Sequence, residues 1–373
     1  MAALKAKHTS GVTFAGVGGE AMAAEGLASI FPLHDVAVMG PLNILAAFPR
    51  LIRRVHQTVG AALAFKPDAV VIIDSPEFTH PIAKRIRKRA LEIPIIDYVS
   101  PSVWAWRPER AKKMRGYIDE VMALLPFEPA AHERLGGPHC TYVGHPLIER
   151  LDEIASADTA GLARRLGIAA ERDVLVVLPG SRRSEAGRLL GVFGEAVAKL
   201  AKQGRVFEVV IPTVPHLREQ VQVASATWGV PCHVVDGGRD GFCAMRLARA
   251  ALAASGTVTL ELALAGTPMV VAYKVDSVAA PFLRRMIRGE TVVLANLVLG
   301  ENAFPEFLQE DCTAEKLAPV LADLLGKSAR RDVQVAALAR IPERLKLAVC
   351  SPSEAAAKAV LAVLASRRKM LSP

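Results

Sequence analysis

Several short stretches of this 373-residue chain combine residue types that could hold or transfer a charged group. Leu178-Pro179-Gly180-Ser181-Arg182-Arg183 places a glycine, a hydroxyl and two guanidinium groups where an apolar run gives way to a helical one. Gly180 permits a tight turn. The free N–H groups of a helix start, with Ser181 and Arg182, can then hold a diphosphate. Ala254-Ser255-Gly256-Thr257 repeats the design, with Glu261 one turn into the following helix. A carboxylate there can accept both hydroxyls of a ribose. The plain alternatives are an ordinary strand–turn–helix with solvated arginines and a capping Thr257 with a surface Glu261. Leu260 and Leu262 flank Glu261 in a very apolar helix, which argues against a merely solvated face.

Two further residues could move a proton. Ile72-Ile73-Asp74-Ser75-Pro76-Glu77 ends an apolar run on two acids, and Asp74 is a candidate general base. A turn-forming Asp ahead of Ser-Pro is the competing reading. In Val143-Gly144-His145-Pro146, His145 is a second candidate base or a hydrogen-bonded structural residue. Gly16-Val17-Gly18-Gly19 is only part of a GxGxxG loop, and no DxD pair occurs. The expectation is therefore neither a dinucleotide cofactor nor a metal, with arginine and helix N-termini carrying the charge of a leaving group.

Aromatic residues are concentrated in Asp97–Arg110, DYVSPSVWAWRPER, which holds two of the three Trp and one of the four Tyr. Trp104 and Trp106 stand two apart, with Arg107 and Arg110 behind them. A loop of this composition leaving a strand suits a sugar or an anionic group. Alternatively, the Trp pair plugs a core.

The elements that must position these residues alternate from end to end. Strand-like runs at Val12–Val17, Ala69–Asp74, Pro94–Val99, Glu120–Leu125 and Cys140–Val143 are separated by helix-period segments. After a polar, Ala-rich connector at Glu149–Arg172 the pattern restarts at Asp173–Leu178, Phe207–Ile211, His233–Val235, Ala250–Ala254 and Met269–Ala272. Continuous apolar strands between helices predict parallel sheets covered on both faces. The reading is an α/β chain with two Rossmann-like, doubly wound domains over residues 1–155 and 156–345. A closing helix over 346–373 could pack back on the first domain.

Composition narrows the function. Hydrophobic residues make up 51% and charged residues 22%, so the chain folds rather than remaining disordered. A net charge of +9 suits an anionic partner. With no dense Lys/Arg tract and no zinc-finger spacing, nucleic acid is the weakest of these. Five scattered cysteines without a CxxC pair suggest reduced thiols in a cytosolic protein. No apolar run reaches the ~20 residues that span a bilayer, and the N-terminus lacks a signal-peptide core. Leu33–Ile52 is nonetheless unusually apolar and is followed by Arg53, Arg54 and His56. Its Val38, Met39, Leu42 and Leu45 are candidate membrane contacts of an interfacial helix, with a core-facing helix as the alternative.

Taken in order, AVMG, IDSPEF, VSPSVWAWRPER, LPFE, YVGHP, LPGSR followed by Glu185, ASGT with Glu261, and PMVVAY resemble the bacterial lipid-A-disaccharide synthases. These are inverting glycosyltransferases of the GT-B type. The similarity runs from about Phe14 to the C-terminus. PSVWAWR and the full ordered set are its specific part; LPGSR alone is not. The resemblance implies transfer of a 2,3-diacylglucosaminyl unit from UDP to 2,3-diacylglucosamine 1-phosphate (lipid X). The product is a β-1′,6-linked disaccharide, with release of UDP. It implies UDP-sugar binding through Gly180, Ser181, Arg182, Ser255, Gly256, Thr257 and Glu261, across a cleft from the first half. It implies an acceptor pocket shaped by Ser100, Trp104 and Arg107, with Trp106 packing beneath. The expected partners are the two acylated substrates, the inner face of the cytoplasmic membrane and a second copy of the chain.

Family members begin with a strand and a loop of the GEPSGD kind, whereas Met1–Lys5 reads as the middle of the helix that follows. The first βα unit is thus expected to be missing from this chain, and a carboxylate in that loop would compete with Asp74 for the role of base. Two other classes stay open on the residues. Another GT-B UDP-sugar enzyme, such as a peptidoglycan glucosaminyltransferase or a UDP-sugar epimerase, would share the second-half motifs but not PSVWAWR. A non-catalytic lipid- or nucleotide-binding protein would show no transfer.

Overall fold

The computed structural model describes residues 1–8, 11–36, 41–275 and 291–371, and the side chains of these except 41–46 and 368–371. The chain forms two compact units: Met1–Pro146 with Leu347–Pro373, and Leu147–Lys346. The division falls ahead of the 155/156 boundary expected from composition. Contacts of the connector explain the shift: Arg246 donates to the carbonyls of Ile154 and Ala155, and Arg150 lies over the Phe242 ring at 4.5 Å.

Unit 1 contains a four-stranded parallel sheet in the order β1 (Val70–Ile73), β2 (Ile95–Tyr98), β3 (Glu120–Ala123), β4 (His139–Tyr142). One face packs on Val55, Val59, Ile82, Ile86, Val103 and Met114. The C-terminal helix Pro352–Leu371 covers the other face, where Val360 meets Ile96, Met122 and Val143. Arg367 is tied to Asp119 at 3.1 Å, and Glu354 to Lys7 of the N-terminal helix at 3.4 Å. Among the described residues Val12–Val17 does not form the expected strand: Gly16 bridges Ser29 in parallel without a ladder. Glycines at 11, 16, 18 and 19 make an extended conformation costly for that segment.

Unit 2 holds a six-stranded parallel sheet in the order β10-β9-β8-β5-β6-β7. Its strands are β5 (Asp173–Leu178), β6 (Phe207–Thr213), β7 (Cys232–Asp236), β8 (Ala250–Ala254), β9 (Met269–Tyr273) and β10 (Glu306–Leu308). Numbered within the unit this is 3-2-1-4-5-6, the doubly wound order, and it reverses between β5 and β8. The apolar run of β5 is buried from Val174 to Leu178, as a strand covered on both faces must be. Leu175, Phe193, Val209 and Leu321 are fully buried in the core on one face. Burying such a side chain contributes about 1.5–3 kcal/mol. Trp228, the third tryptophan, also packs into this core. β10 escaped the sequence reading because three residues carry no periodicity.

Candidate active site

In unit 2 the reversal point brings two loops side by side at the C-terminal edge of the sheet, where the loop after β5 and the loop after β8 meet. Gly180 has φ +101°, and a Cβ there would lie 2.1 Å from Glu185 Oε2, so no other residue fits this turn without displacing that carboxylate. Ser181 and Arg182 are exposed. Arg182 occupies the N-cap of the helix Arg183–Lys202, and no side chain caps that end. The first-turn N–H groups and the guanidinium therefore face outward together, an arrangement that attracts an oxyanion.

Beyond β8, Ser255 Oγ donates to the carbonyl of Val292 at 2.9 Å, which ties the loop down. Thr257 stands at the N-cap of Val258–Ala265 but makes no capping bond, contrary to the capping reading. Thr259 Oγ1 instead donates to Gly256 O at 2.9 Å, so Thr257 keeps its hydroxyl exposed. Glu261 is half-buried among apolar neighbours. Burial raises its carboxyl pKa, and the charge of Arg150 opposes that shift. It is neither a solvated surface acid nor a core residue, and a polyol could be met by such a group.

Sequence reasoning missed a third part of the same edge. A cavity of about 410 Å³ at the ends of β6 and β7 is lined by Thr213, Pro215, Arg218, Asp236 and Arg239. Asp236 caps the helix Gly237–Leu247 by accepting from Gly238 N and Arg239 N, both at 2.9 Å. Thr213 Oγ1 is buried with no hydrogen-bond partner. A hydroxyl left so is costly unless a bound group completes it. The signal was available in the chain: Thr213-Val214-Pro215 and Asp236-Gly237-Gly238 both follow apolar runs with turn residues.

In unit 1 the ends of β1 and β2 carry unusual backbone. Asp74, Ser75, Val99 and Arg107 all have positive φ, at +49°, +46°, +78° and +50°. For a β-branched residue such as Val99 this is a genuine outlier, and such strain concentrates at functional sites. Asp74 is exposed at the strand end, its N–H bonded to Tyr98 O at 3.0 Å. Its neighbour Glu77 pairs with Arg110 at 2.7 Å, which ties the Trp loop to the helix after β1. His145 is buried, and burial pushes its pKa down to about 4. Of the two candidates, Asp74 is the exposed one and His145 the buried one.

The Trp loop is held from below. Ser100 is buried, and its Oγ lies 2.8 Å from His132 Nε2, so its hydroxyl supports the loop rather than facing out. Trp104 is half-buried and donates to Glu128 Oε1 at 3.3 Å. Arg107 stacks over the Trp106 ring at 5.3 Å, with both side chains half-buried. Within β2, Asp97 is fully buried with its Oδ2 3.3 Å from His80 Nε2, and His80 Nδ1 is 2.9 Å from Tyr117 Oη. This pair was not expected from the sequence; burial raises the Asp97 pKa and the neighbouring histidine lowers it.

Of the candidate membrane contacts, Val38 and Met39 lie outside the described residues. Leu42 and Leu45 fall in the helix Pro41–Phe65, but their side chains are not among those described. The same helix exposes Phe48 (54%) and Ile52 (41%) one turn apart, beside exposed Arg50 and Arg53. Leu33, just ahead of it, is 47% exposed. Among the described residues no helix is long and apolar enough to cross a membrane, and no group of three acidic, Cys or His residues could hold a metal ion.

Comparison with known proteins gives this geometry a context. The family model described as lipid-A-disaccharide synthetase matches residues 1–360. The chain is 50% identical over 364 residues to the lipid-A-disaccharide synthase of Rhodopseudomonas palustris, covering 98% of this chain and 92% of that protein. It is 51% identical over 371 residues to that of Nitrobacter winogradskyi, covering 99% and 93%. Among solved structures, UDP-GlcNAc 2-epimerase from Neisseria meningitidis bound to UDP-GlcNAc superposes with a TM-score of 0.61 at 15% identity, over 92% of this chain and 87% of that one. MurG from Acinetobacter baumannii does so at 0.55 and 14%, over 98% and 94%. These structural likenesses establish the GT-B fold alone.

Proposed function

Because this chain belongs to the lipid-A-disaccharide synthetase family, we propose that its two units divide the work of one inverting glycosyl transfer. The chain is a GT-B glycosyltransferase of lipid A biosynthesis. It joins the 2,3-diacylglucosaminyl unit of a UDP-sugar to 2,3-diacylglucosamine 1-phosphate, giving lipid A disaccharide 1-phosphate and UDP. The observation that carries the assignment of the donor is the pair of loops at the reversal point of the unit 2 sheet. An uncapped helix start, Arg182 and Glu261 stand there on one edge.

In this reading the diphosphate lies against Ser181, Arg182 and the first-turn N–H groups, and Glu261 takes the ribose hydroxyls. The acceptor belongs to unit 1, against Trp104 and Arg107. Its 6-hydroxyl gives its proton to Asp74 as the oxygen bonds to the anomeric carbon, opposite the departing UDP. The electron pair of the broken carbon–oxygen bond leaves with the diphosphate, where Arg182 and the helix dipole meet the new charge. A single displacement inverts the anomeric centre.

Glu261→Ala removes charged hydrogen bonds worth about 1.5–3 kcal/mol. UDP titrated into that variant is expected to bind about ten- to a hundredfold more weakly. Wild-type affinity would show that Glu261 does not hold the ribose.

Both substrates carry acyl chains, and the exposed Phe48, Ile52 and Leu33 beside arginines support a membrane-facing role for this part of unit 1. The reading places the enzyme peripherally on the inner face of the cytoplasmic membrane; pairing of two copies is open to sedimentation. A Phe48→Asp/Ile52→Asp variant should lose most of its cosedimentation with anionic vesicles while keeping its affinity for UDP. Unchanged vesicle binding would refute the surface assigned to the membrane.

A further inference from the structure

The short helix Glu128–Arg134 grips the Trp loop at three points. Phe127, just ahead of it, meets the Trp104 ring edge-on with 5.2 Å between centroids. Glu128 Oε1 accepts the Trp104 indole N–H at 3.3 Å. One turn on, His132 shares its bond with Ser100. The second oxygen of Glu128 accepts from Leu124 N at 3.1 Å and Leu125 N at 2.9 Å. The carboxylate is therefore fixed by its own backbone before it reaches the loop.

Nothing in the reaction uses Glu128, the acid of the Leu125-Pro126-Phe127-Glu128 motif. It is 4% exposed, and burial pushes its pKa up to about 7 despite three donors. An apolar side chain would fill the space without that desolvation cost. A buried, satisfied acid of this kind fixes one geometry where packing alone allows several.

We propose that Glu128 is a positioning residue, which locks the Trp104 ring so that the loop presents Trp104 and Arg107 to the acceptor sugar in one arrangement. The proposal rests on the reading of that loop as the acceptor pocket. Aromatic packing on Phe127 restrains the ring but leaves its rotation about the contact soft; the N–H bond sets it. Ser100 and His132 hold the loop's base, so the two bonds together pin both ends of Ser100–Trp104.

Glu128→Gln tests this directly. Its amide oxygen still accepts from Leu124 and Leu125, whereas its NH₂ group cannot accept the indole N–H. The expected result is an acceptor KM raised about tenfold, the scale of losing one buried hydrogen bond. The kcat and UDP affinity should hold near wild type, while tryptophan emission changes and acrylamide quenching increases. Trp104→Phe removes the same bond from the other side and keeps the test alive if the glutamine variant fails to fold. Combined, the two should be no worse than Trp104→Phe alone, because they break one interaction. Wild-type emission, quenching and acceptor KM in Glu128→Gln would overturn the proposal. Altered emission with an unchanged acceptor KM would keep the pin but overturn the acceptor reading, and with it the role assigned to Glu128.

Discussion

Asp74→Asn is expected to lower kcat by about 10³-fold, within the range that one positioned base contributes, while UDP affinity stays at the wild-type level. The effect is large because the acceptor's hydroxyl is a poor nucleophile until its proton leaves, and asparagine cannot take that proton. The variant keeps side-chain size, so the unusual φ of +49° and the bond from its N–H to Tyr98 O can persist. Its Asn side chain also tolerates this backbone region well. Single-turnover kinetics with saturating donor isolate the step. A kcat within about threefold of wild type would exclude a base worth 10² or more. His145 would not then inherit the role by default, since it is buried.

Arg182→Ala is expected to cost about 10²–10³ in kcat/KM, the scale of removing one preorganised stabiliser of developing charge. Most of the loss should fall on kcat, because the bond to UDP breaks in the transition state and the diphosphate gains charge there. Arg182→Lys should recover only part: an ammonium supplies charge but not the planar fork. The turn itself should survive both changes. Gly180 and Glu185, not Arg182, fix its shape, and Arg182 is exposed without a capping bond. Equal loss in UDP binding and in kcat/KM would assign Arg182 to ground-state affinity instead.

How much of this could be read from the chain follows from what each element depends on. The strands β5, β8 and β9 were legible because both faces are buried, and their apolar runs need no partner to be recognised. The loops after β5 and β8 were legible as loops because Pro179-Gly180 and Ser255-Gly256-Thr257 end apolar runs with turn residues. Val12–Val17 misled because β-branched content does not create a ladder; a strand needs a neighbour, and among the described residues the segment makes a single bridge. The supports of the Trp loop were illegible for a related reason. Glu128 and His132 look like ordinary acid and base on a short helix, and only the fold brings them to Trp104 and Ser100. Likewise, the buried Asp97–His80 contact joins residues from β2 and the helix after β1, which no spacing rule connects. The cavity at Thr213 and Asp236 depends on β6 and β7 being neighbours, a fact of sheet order and not of either motif.

The proposed function requires that this chain join two acylated sugars and use the acyl-bearing donor in preference to plain UDP-GlcNAc. The most direct measurement incubates the full chain with lipid X and either UDP-2,3-diacylglucosamine or plain UDP-GlcNAc, and follows UDP release together with the linkage of the product. UDP and a β-1′,6-linked disaccharide are expected from the acylated donor, with little turnover of the plain one. Comparable transfer from UDP-GlcNAc, or an α-linked product, would contradict the proposed function.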